Sequence, residues 1–275
     1  MTLALQKLGI IAGGGELPLR IAEACHKRAQ PCFVLAVDEL ASEVDQHLES
    51  ERVPIGKLGR GLAALRRHGC RDIVFAGRYE RPGKRIRFRP DLAAIWFFVR
   101  NLGPFRRSDD TLHRIMAREF ERAGFRVVSP LDADPTLGAP AGVITRKQPA
   151  LSASDLELAL RAAKAHGVTD EGQAVVVRDG VVIARETRAG TDALLAGVAR
   201  GGGCGGVLAK AMKPAQIRNV DPPAIGASTV NAAAAAGLDG LVIEAGATVV
   251  VDIDDVIATA DRMGLFIVGV EASSV

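Results

Sequence analysis

K-L-G-I-I-A-G-G-G-E-L-P-L-R-I-A-E-A, residues 7–24, sets the reading of the first half of the chain. Lys7–Ala12 is a short apolar run and reads as a strand. After the glycines, apolar residues recur at helical spacing from Leu17 to Ala29, with Pro18 well placed in a first turn. A strand, a glycine turn and a helix in that order open an α/β unit. The backbone N–H groups of Gly13, Gly14 and Gly15 can approach an anion closely, and a helix N-terminus favours negative charge. The pattern is not G-x-G-x-x-G, so a plain tight turn and a phosphate contact both stay open.

The same alternation continues outward. Cys32–Val37 reads as a strand ending at Asp38, roughly where a ribose-binding acid sits in dinucleotide folds. Leu58–Arg67 is helical by the spacing of Leu58, Leu62 and Leu65, and Asp72–Ala76 is a strand stopped by Gly77. Leu92–Arg100 reads as helix. Ser108-Asp109-Asp110 looks like the capped start of a helix running to Ala123, with Gly124 as its stop. Acids at a helix start suit its dipole, and the same two could also bind metal. Arg126–Val128 is one more strand. Strands and helices joined by short connections predict a Rossmann-like, doubly wound parallel sheet over residues 1–130.

Ser129–Ala150 holds four prolines and two glycines. That composition reads as a linker at 131–150, although Gly142–Thr145 could pair as a short strand. Residues 151–275 then read as a C-terminal domain of mixed α/β class, expected to be the catalytic one from the charged motifs it carries at 186–226. Ser152–Asp155 resembles a capping box opening a helix to about His166. Ala174–Val177 and Val181–Ala184 flank Asp179-Gly180, a strong hairpin signal. Thr191 or Asp192 is expected to cap a helix. Gly206–Ala209, Leu241–Ile243, Val249–Val251 and Phe266–Val270 read as strands, with helices at Val230–Ala236 and Asp254–Met263. The acids Asp252, Asp254 and Asp255 lack the glycine and the final glutamate of a calcium loop, so they read as a helix start.

Composition removes several function classes. Four isolated cysteines without a C-x-x-C pair fit a reducing compartment and argue against a disulfide framework. Five scattered histidines show no H-x-x-x-H spacing, so any metal is expected to be held through oxygen. No run of about 18 apolar residues spans a bilayer, and no export signal is read at the N-terminus. Between Arg81 and Arg107 the chain carries eight basic residues against one acid, Asp91, and five of its eleven aromatics. Trp96-Phe97-Phe98-Val99 could be the buried face of a helix, or it could meet lipid at a membrane interface or in an acyl-chain pocket. The aromatics cluster where nucleic-acid binding would interleave them, so no nucleic-acid partner is expected.

Glu186–Gly226 holds the densest chemistry. It reads E-T-R-A-G-T-D at 186–192, K-A-M-K-P at 210–214 and Q-I-R-N-V-D-P-P-A-I-G at 216–226. Glu186, Asp192 and Asp221 can supply hard oxygen ligands, and Lys210, Lys213 and Arg218 can neutralise phosphate oxygens. The bland alternative is a set of solvated strand ends with weak local salt bridges.

Taken with Ile10–Pro18, these motifs resemble the UDP-2,3-diacylglucosamine pyrophosphatases of lipid A biosynthesis, of the non-calcineurin type found in many α-proteobacteria. The resemblance runs along nearly the whole chain. One departure is Ile217, where the family often places Asp after the Gln of K-P-x-Q; it shifts weight to Asp221. The resemblance implies a Mg²⁺-dependent hydrolase, with Mn²⁺ as a substitute. Its products would be UMP and 2,3-diacylglucosamine 1-phosphate (lipid X). The rival enzyme type for this step carries D-x-H and G-N-H-D motifs; here a lone D-x-H, Asp45-Gln46-His47, occurs without any G-N-H-D. On this reading Asp221, Lys213 and Lys210 are catalytic. Asp221, Glu186 and Asp192 hold metal, and Gly13, Gly14, Gly15, Thr191, Gln216 and Arg218 bind substrate. The aromatic segment around Trp96 would meet acyl chains. The protein is expected in the cytoplasm, peripheral to the inner membrane, with a homodimer left open. Two other classes compete: an NAD(P)-dependent oxidoreductase, separable by cofactor titration, and a non-catalytic lipid- or nucleotide-binding module, which would release no UMP.

Overall fold

The computed structural model describes residues 6–38, 40–41, 47–77, 89–101, 109–169, 171–213 and 222–272, without the side chains of 109–114. Two compact units divide between Pro135 and Thr136.

In the first unit, strands β1 (Leu8–Ala12), β2 (Cys32–Val37), β3 (Ser50–Val53), β4 (Asp72–Ala76) and β5 (Arg126–Val128) form one sheet in the order β3-β2-β1-β4-β5. Every pairing is parallel. Helices α1 (Leu17–Lys27), α2 (Leu58–Arg67), α3 (Leu92–Asn101), α4 (Asp109–Arg122) and α5 (Pro130–Ala133) connect and follow the strands. β1 and β4 are buried at every residue, as strands covered on both faces must be. Strand order reverses between them, and the register pairs Ala12 with Ala76, so their C-terminal ends lie side by side. β3 carries no apolar run: only Val53 of Ser50–Val53 is buried, because β3 is an edge strand. That is why sequence pattern does not reveal it.

The second unit is built on a six-stranded sheet, ordered β6 (Gly142–Val143), β13 (Phe266–Val270), β11 (Gly240–Glu244), β9 (Val207–Lys210), β7 (Ala174–Arg178), β8 (Val181–Arg185). β9, β11 and β13 are parallel, β6 and β7 run against them, and β8 turns back antiparallel to β7. The hairpin turns through Asp179 (φ 49°) and Gly180 (φ 74°), the two left-handed residues that a tight I′ turn requires. α6 (Ala153–Gly167) covers one face, where Leu156, Leu160 and Ala163 meet Val175, Val177, Ala209 and Phe266. α7 (Gly190–Arg200), α8 (Ala227–Ala235) and α9 (Ile253–Met263) bury the other face around Leu195, Leu208, Val230, Leu241 and Val256. Two short parallel strands, β10 (Ala224–Ile225) and β12 (Val249–Val250), form a separate pair.

The capping box of Ser152 with Asp155 opens α6 as expected. Asp252 caps α9, in agreement with its reading as a helix start. Two local expectations differ. Gly142–Val143 pairs with β13 despite the proline-rich context, since a two-residue strand between Pro140 and Pro149 needs no proline N–H. Neither Thr191 nor Asp192 caps α7: the helix starts at Gly190 after Ala189, with no side-chain cap, and the Thr191 hydroxyl is engaged elsewhere.

Candidate functional site

The register of the second sheet gathers charged residues at one end. Ala174, the first residue of β7, pairs with Lys210, the last of β9. Lys210 pairs in turn with Ile243 of β11, one residue before Glu244. Glu186 leaves β8 at the same level, its N–H donating to the Ala174 carbonyl at 2.9 Å. Strand ends, where the backbone leaves the ladder, are where a sheet protein can place polar side chains without breaking its core.

Glu186 is only 6% exposed, and its carboxylate is fully engaged. One oxygen accepts from the Gln173 and Ala174 backbone N–H groups (2.6 and 3.0 Å), and the other accepts from the Thr191 hydroxyl (2.6 Å). Thr191 in turn accepts from Lys210 Nζ at 3.2 Å, and the same ammonium donates to the Ala224 carbonyl at 2.9 Å. A buried carboxylate and a buried ammonium are thus joined through one hydroxyl, which offsets part of the cost of removing both from water. Gly172 makes the approach possible, because a Cβ there would sit 2.6 Å from Glu186 Cβ.

A second buried acid braces the loop after β9. Glu244 accepts from the Met212 N–H at 2.9 Å, and its other oxygen pairs with Lys164 Nζ at 2.9 Å. The end of α6 adds two contacts. Gly167 packs beneath Lys213, with room for no more than a tight Cβ 3.1 Å from Lys213 Cα. His166 Nε2 lies 2.7 Å from the Glu186 carbonyl, and since a carbonyl only accepts, Nε2 carries the proton. A cleft of about 470 Å³ between α6 and β8 is lined in part by His166, Arg185, Glu186 and Thr187.

The first unit presents a different kind of strand end. Gly13 donates its N–H to the Ala76 carbonyl at 2.8 Å, closing the turn after β1 onto β4. Gly77 follows β4 with φ 98°, and a Cβ there would stand 2.6 Å from the Gly14 carbonyl oxygen. Gly15 has φ 94° and open space where a side chain would be. Asp38, at the end of β2, pairs with Arg52 at 3.5 Å.

Of the sequence-selected residues, Glu186, Thr191 and Lys210 are brought into one hydrogen-bonded chain. Lys213 is on the adjoining loop, and Asp192 is exposed in the first turn of α7. Gly13–Gly15 belong to the first unit. Gln216, Arg218 and Asp221 lie outside the described residues, as do Phe88, Phe105, Ser108 and the basic run before Phe88. Trp96 and Val99 are exposed while Phe97 is buried, so the aromatic run is not one buried face.

Among the described residues no three His, Cys, Asp or Glu side chains converge on a point that could hold a metal ion. The Glu186 oxygens already receive three protein donors. The described side chains therefore do not by themselves fit a resident magnesium ion.

Sequence reading missed Glu244, Lys164, His166 and Gln173. Glu244 carries the same signal as Glu186, an acid closing an apolar strand. Gln173 has a buried side-chain oxygen without a hydrogen-bond partner, beside the loop that carries Lys213: the Ala211 N–H donates to its carbonyl at 3.1 Å.

Comparison with known proteins gives a consistent pattern. A family model described as the LpxI N-terminal domain matches residues 7–137, and the LpxI C-terminal domain model matches 140–268. The UDP-2,3-diacylglucosamine pyrophosphatase LpxI of Caulobacter vibrioides is 38% identical over 276 residues, covering 97% of this chain and 98% of that protein. A solved structure assigned to an NAD-dependent epimerase/dehydratase from Methylobacillus flagellatus aligns at 12% identity and a TM-score of 0.26. That alignment spans 55% of this chain and 45% of the other, and so loose a match carries no argument.

Proposed function

This chain belongs to the LpxI family, and from that premise we propose that it hydrolyses the diphosphate of UDP-2,3-diacylglucosamine to UMP and 2,3-diacylglucosamine 1-phosphate. The observation that carries the reading is the end-to-end likeness to a relative named for that activity. The Glu186–Thr191–Lys210 chain is consistent with it, since it fixes the end of β9, while Glu244 braces the loop towards Lys213 through the Met212 N–H.

Cleaving a diphosphate requires an attacking water in line with the leaving group and positive charge for the non-bridging oxygens. We assign the charge to Lys213 and Arg218, with Thr191 and Gln216 at the substrate. Lys210 and Glu186 fix the frame from which these groups act. Gly13–Gly15 offer backbone N–H groups to the phosphosugar. Asp221 is proposed to activate water or to hold Mg²⁺, for which Mn²⁺ can substitute, and Asp192, an exposed carboxylate in the first turn of α7, is assigned to help it. The lipid substrate places the protein at the cytoplasmic surface of the inner membrane.

The test uses purified protein, UDP-2,3-diacylglucosamine and magnesium in heavy-oxygen water. Release of UMP with label in the lipid phosphate supports attack on the sugar-side phosphorus, and label in UMP reverses that assignment. Undiminished turnover in excess EDTA removes the metal. No products under any metal condition leaves a binding module and rejects the proposal.

A further inference from the structure

α3 is the one described helix whose outward face is continuously apolar. Leu92, Ile95, Trp96 and Val99 are 77%, 44%, 63% and 55% exposed. They are spaced by three, one and three residues, so they share one side of the helix, while Ala94 and Phe97 turn inward and are buried. Four of the eleven large apolar side chains exposed among the described residues are therefore on this ten-residue helix. A patch so concentrated calls for a partner.

The surroundings select which partner. The segment Arg81–Arg107 carries eight basic residues and a single acid. That acid, Asp91, is engaged in capping: its carboxylate accepts from the Ala94 N–H at 2.9 Å and from the Arg60 N–H at 3.2 Å. Arg60 and Arg89 are exposed at the start of the helix, and Arg100 is exposed at its end, paired with Glu119 at 2.6 Å. An apolar stripe with a tryptophan, flanked by cations, suits the headgroup layer of an anionic bilayer: the stripe enters the acyl boundary and the cations meet phosphate. A helix of this length is about 15 Å long and cannot span, so it lies in the plane. No described helix is long and apolar enough to cross a membrane. A second copy of the chain would bring the same positive charge to this patch and be repelled.

We propose that α3 is the membrane-docking element of this protein, seated through Leu92, Ile95, Trp96 and Val99 on an anionic lipid surface. The inference deepens the reading of a membrane-drawn lipid substrate and takes from it only the choice of bilayer. Trp96 is the sole tryptophan of the chain, so its fluorescence reports α3 alone.

The experiment mixes the full chain, without substrate, with vesicles of phosphatidylethanolamine and phosphatidylglycerol, and in parallel with phosphatidylcholine vesicles. Expected are co-flotation and a blue shift of Trp96 on the anionic vesicles, both weakened by salt, with little of either on the neutral ones. The double variant Ile95→Asp, Val99→Asp should lower the vesicle-bound fraction about tenfold or more, with its thermal melt as the folding control. Quenching of wild-type Trp96 by brominated lipid gives the same answer if the variant fails to fold. Absence of flotation, or flotation that leaves Trp96 unchanged and unquenched, overturns the proposal. So does a shift that needs the diacylated substrate, which would make α3 an acyl-chain cradle. A shift that grows with protein concentration in vesicle-free buffer also overturns it, in favour of a dimer face. UMP release from detergent-dispersed substrate is read separately; its failure would reject the enzymatic reading and leave the vesicle result intact.

Discussion

The two units place chemistry at strand ends in opposite ways. The first ends β1 and β4 in bare backbone: Gly77 meets Gly13 and Gly14 so closely that no side chain fits between them, and Gly15 beside them is left-handed. The second ends β8, β9 and β11 in long charged side chains, Glu186, Lys210 and Glu244, each buried and each tied to a specific donor or acceptor. A backbone site needs small residues in sequence and works by close approach. A side-chain site needs partners from distant segments, because an unpaired buried charge is too costly to keep. The first kind is therefore locally encoded, and the second is a product of the fold.

The sharpest test of this contrast is Asp221→Ala. The functional reading makes Asp221 reactive and not structural, so turnover should fall by about a hundredfold or more while thermal stability holds. Near-wild-type UMP release would take Asp221 out of catalysis. Glu186→Ala should show the reverse pattern. It strips acceptors from two backbone N–H groups and a hydroxyl, and should cost about 3 kcal/mol in denaturant unfolding. A loss below about 1 kcal/mol would mean that water or neighbours replace the carboxylate, and the second site would not depend on its side chains as described.

Gly77→Ala probes the first unit in the same currency. A Cβ at φ 98°, 2.6 Å from the Gly14 carbonyl, should destabilise by about 2 kcal/mol and weaken phosphosugar binding, read by isothermal titration with 2,3-diacylglucosamine 1-phosphate. Unchanged stability and affinity would break the claim that close backbone approach builds this end.

The smallest effect concerns pH. In the first unit the hydrogen bond from Lys7, then that from His68, hold Glu49 below the usual carboxylate range. The Arg67 hydrogen bond, then His68, do the same for Glu51. A depressed folded value means that the stabilisation is present above the unfolded carboxylate pKa and is lost as pH falls through the folded one. The difference in unfolding midpoint between wild type and Glu49→Gln, Glu51→Gln should be small at pH ~7 and shrink as pH falls from the unfolded carboxylate pKa through the lower folded ones. A difference that grows on acidification would reverse the assignment.

The parallel order of the first sheet, the β7–β8 hairpin, the capping box of α6 and the acid–lysine motifs were all legible as pattern. Each rests on neighbours in sequence: apolar runs, Asp179-Gly180, Ser152 with Asp155. The edge strand Ser50–Val53 was not legible, because its pairing comes from β2 and not from its own composition. The α7 cap was misread because Thr191 is satisfied by Glu186, across a turn, instead of by its own helix.

What the chain determined by itself is thus the kind of chemistry available at each end: glycines for backbone approach, acids and lysines for charge. Which of those charges are buried, and which outside residue holds each, was decided only when β7, β8, β9 and β11 aligned. Register brings Gln173, Glu186, Lys210 and Glu244 to one level from positions up to 71 residues apart. No local rule encodes such a meeting, because burial and pairing depend on where the whole sheet places its ends.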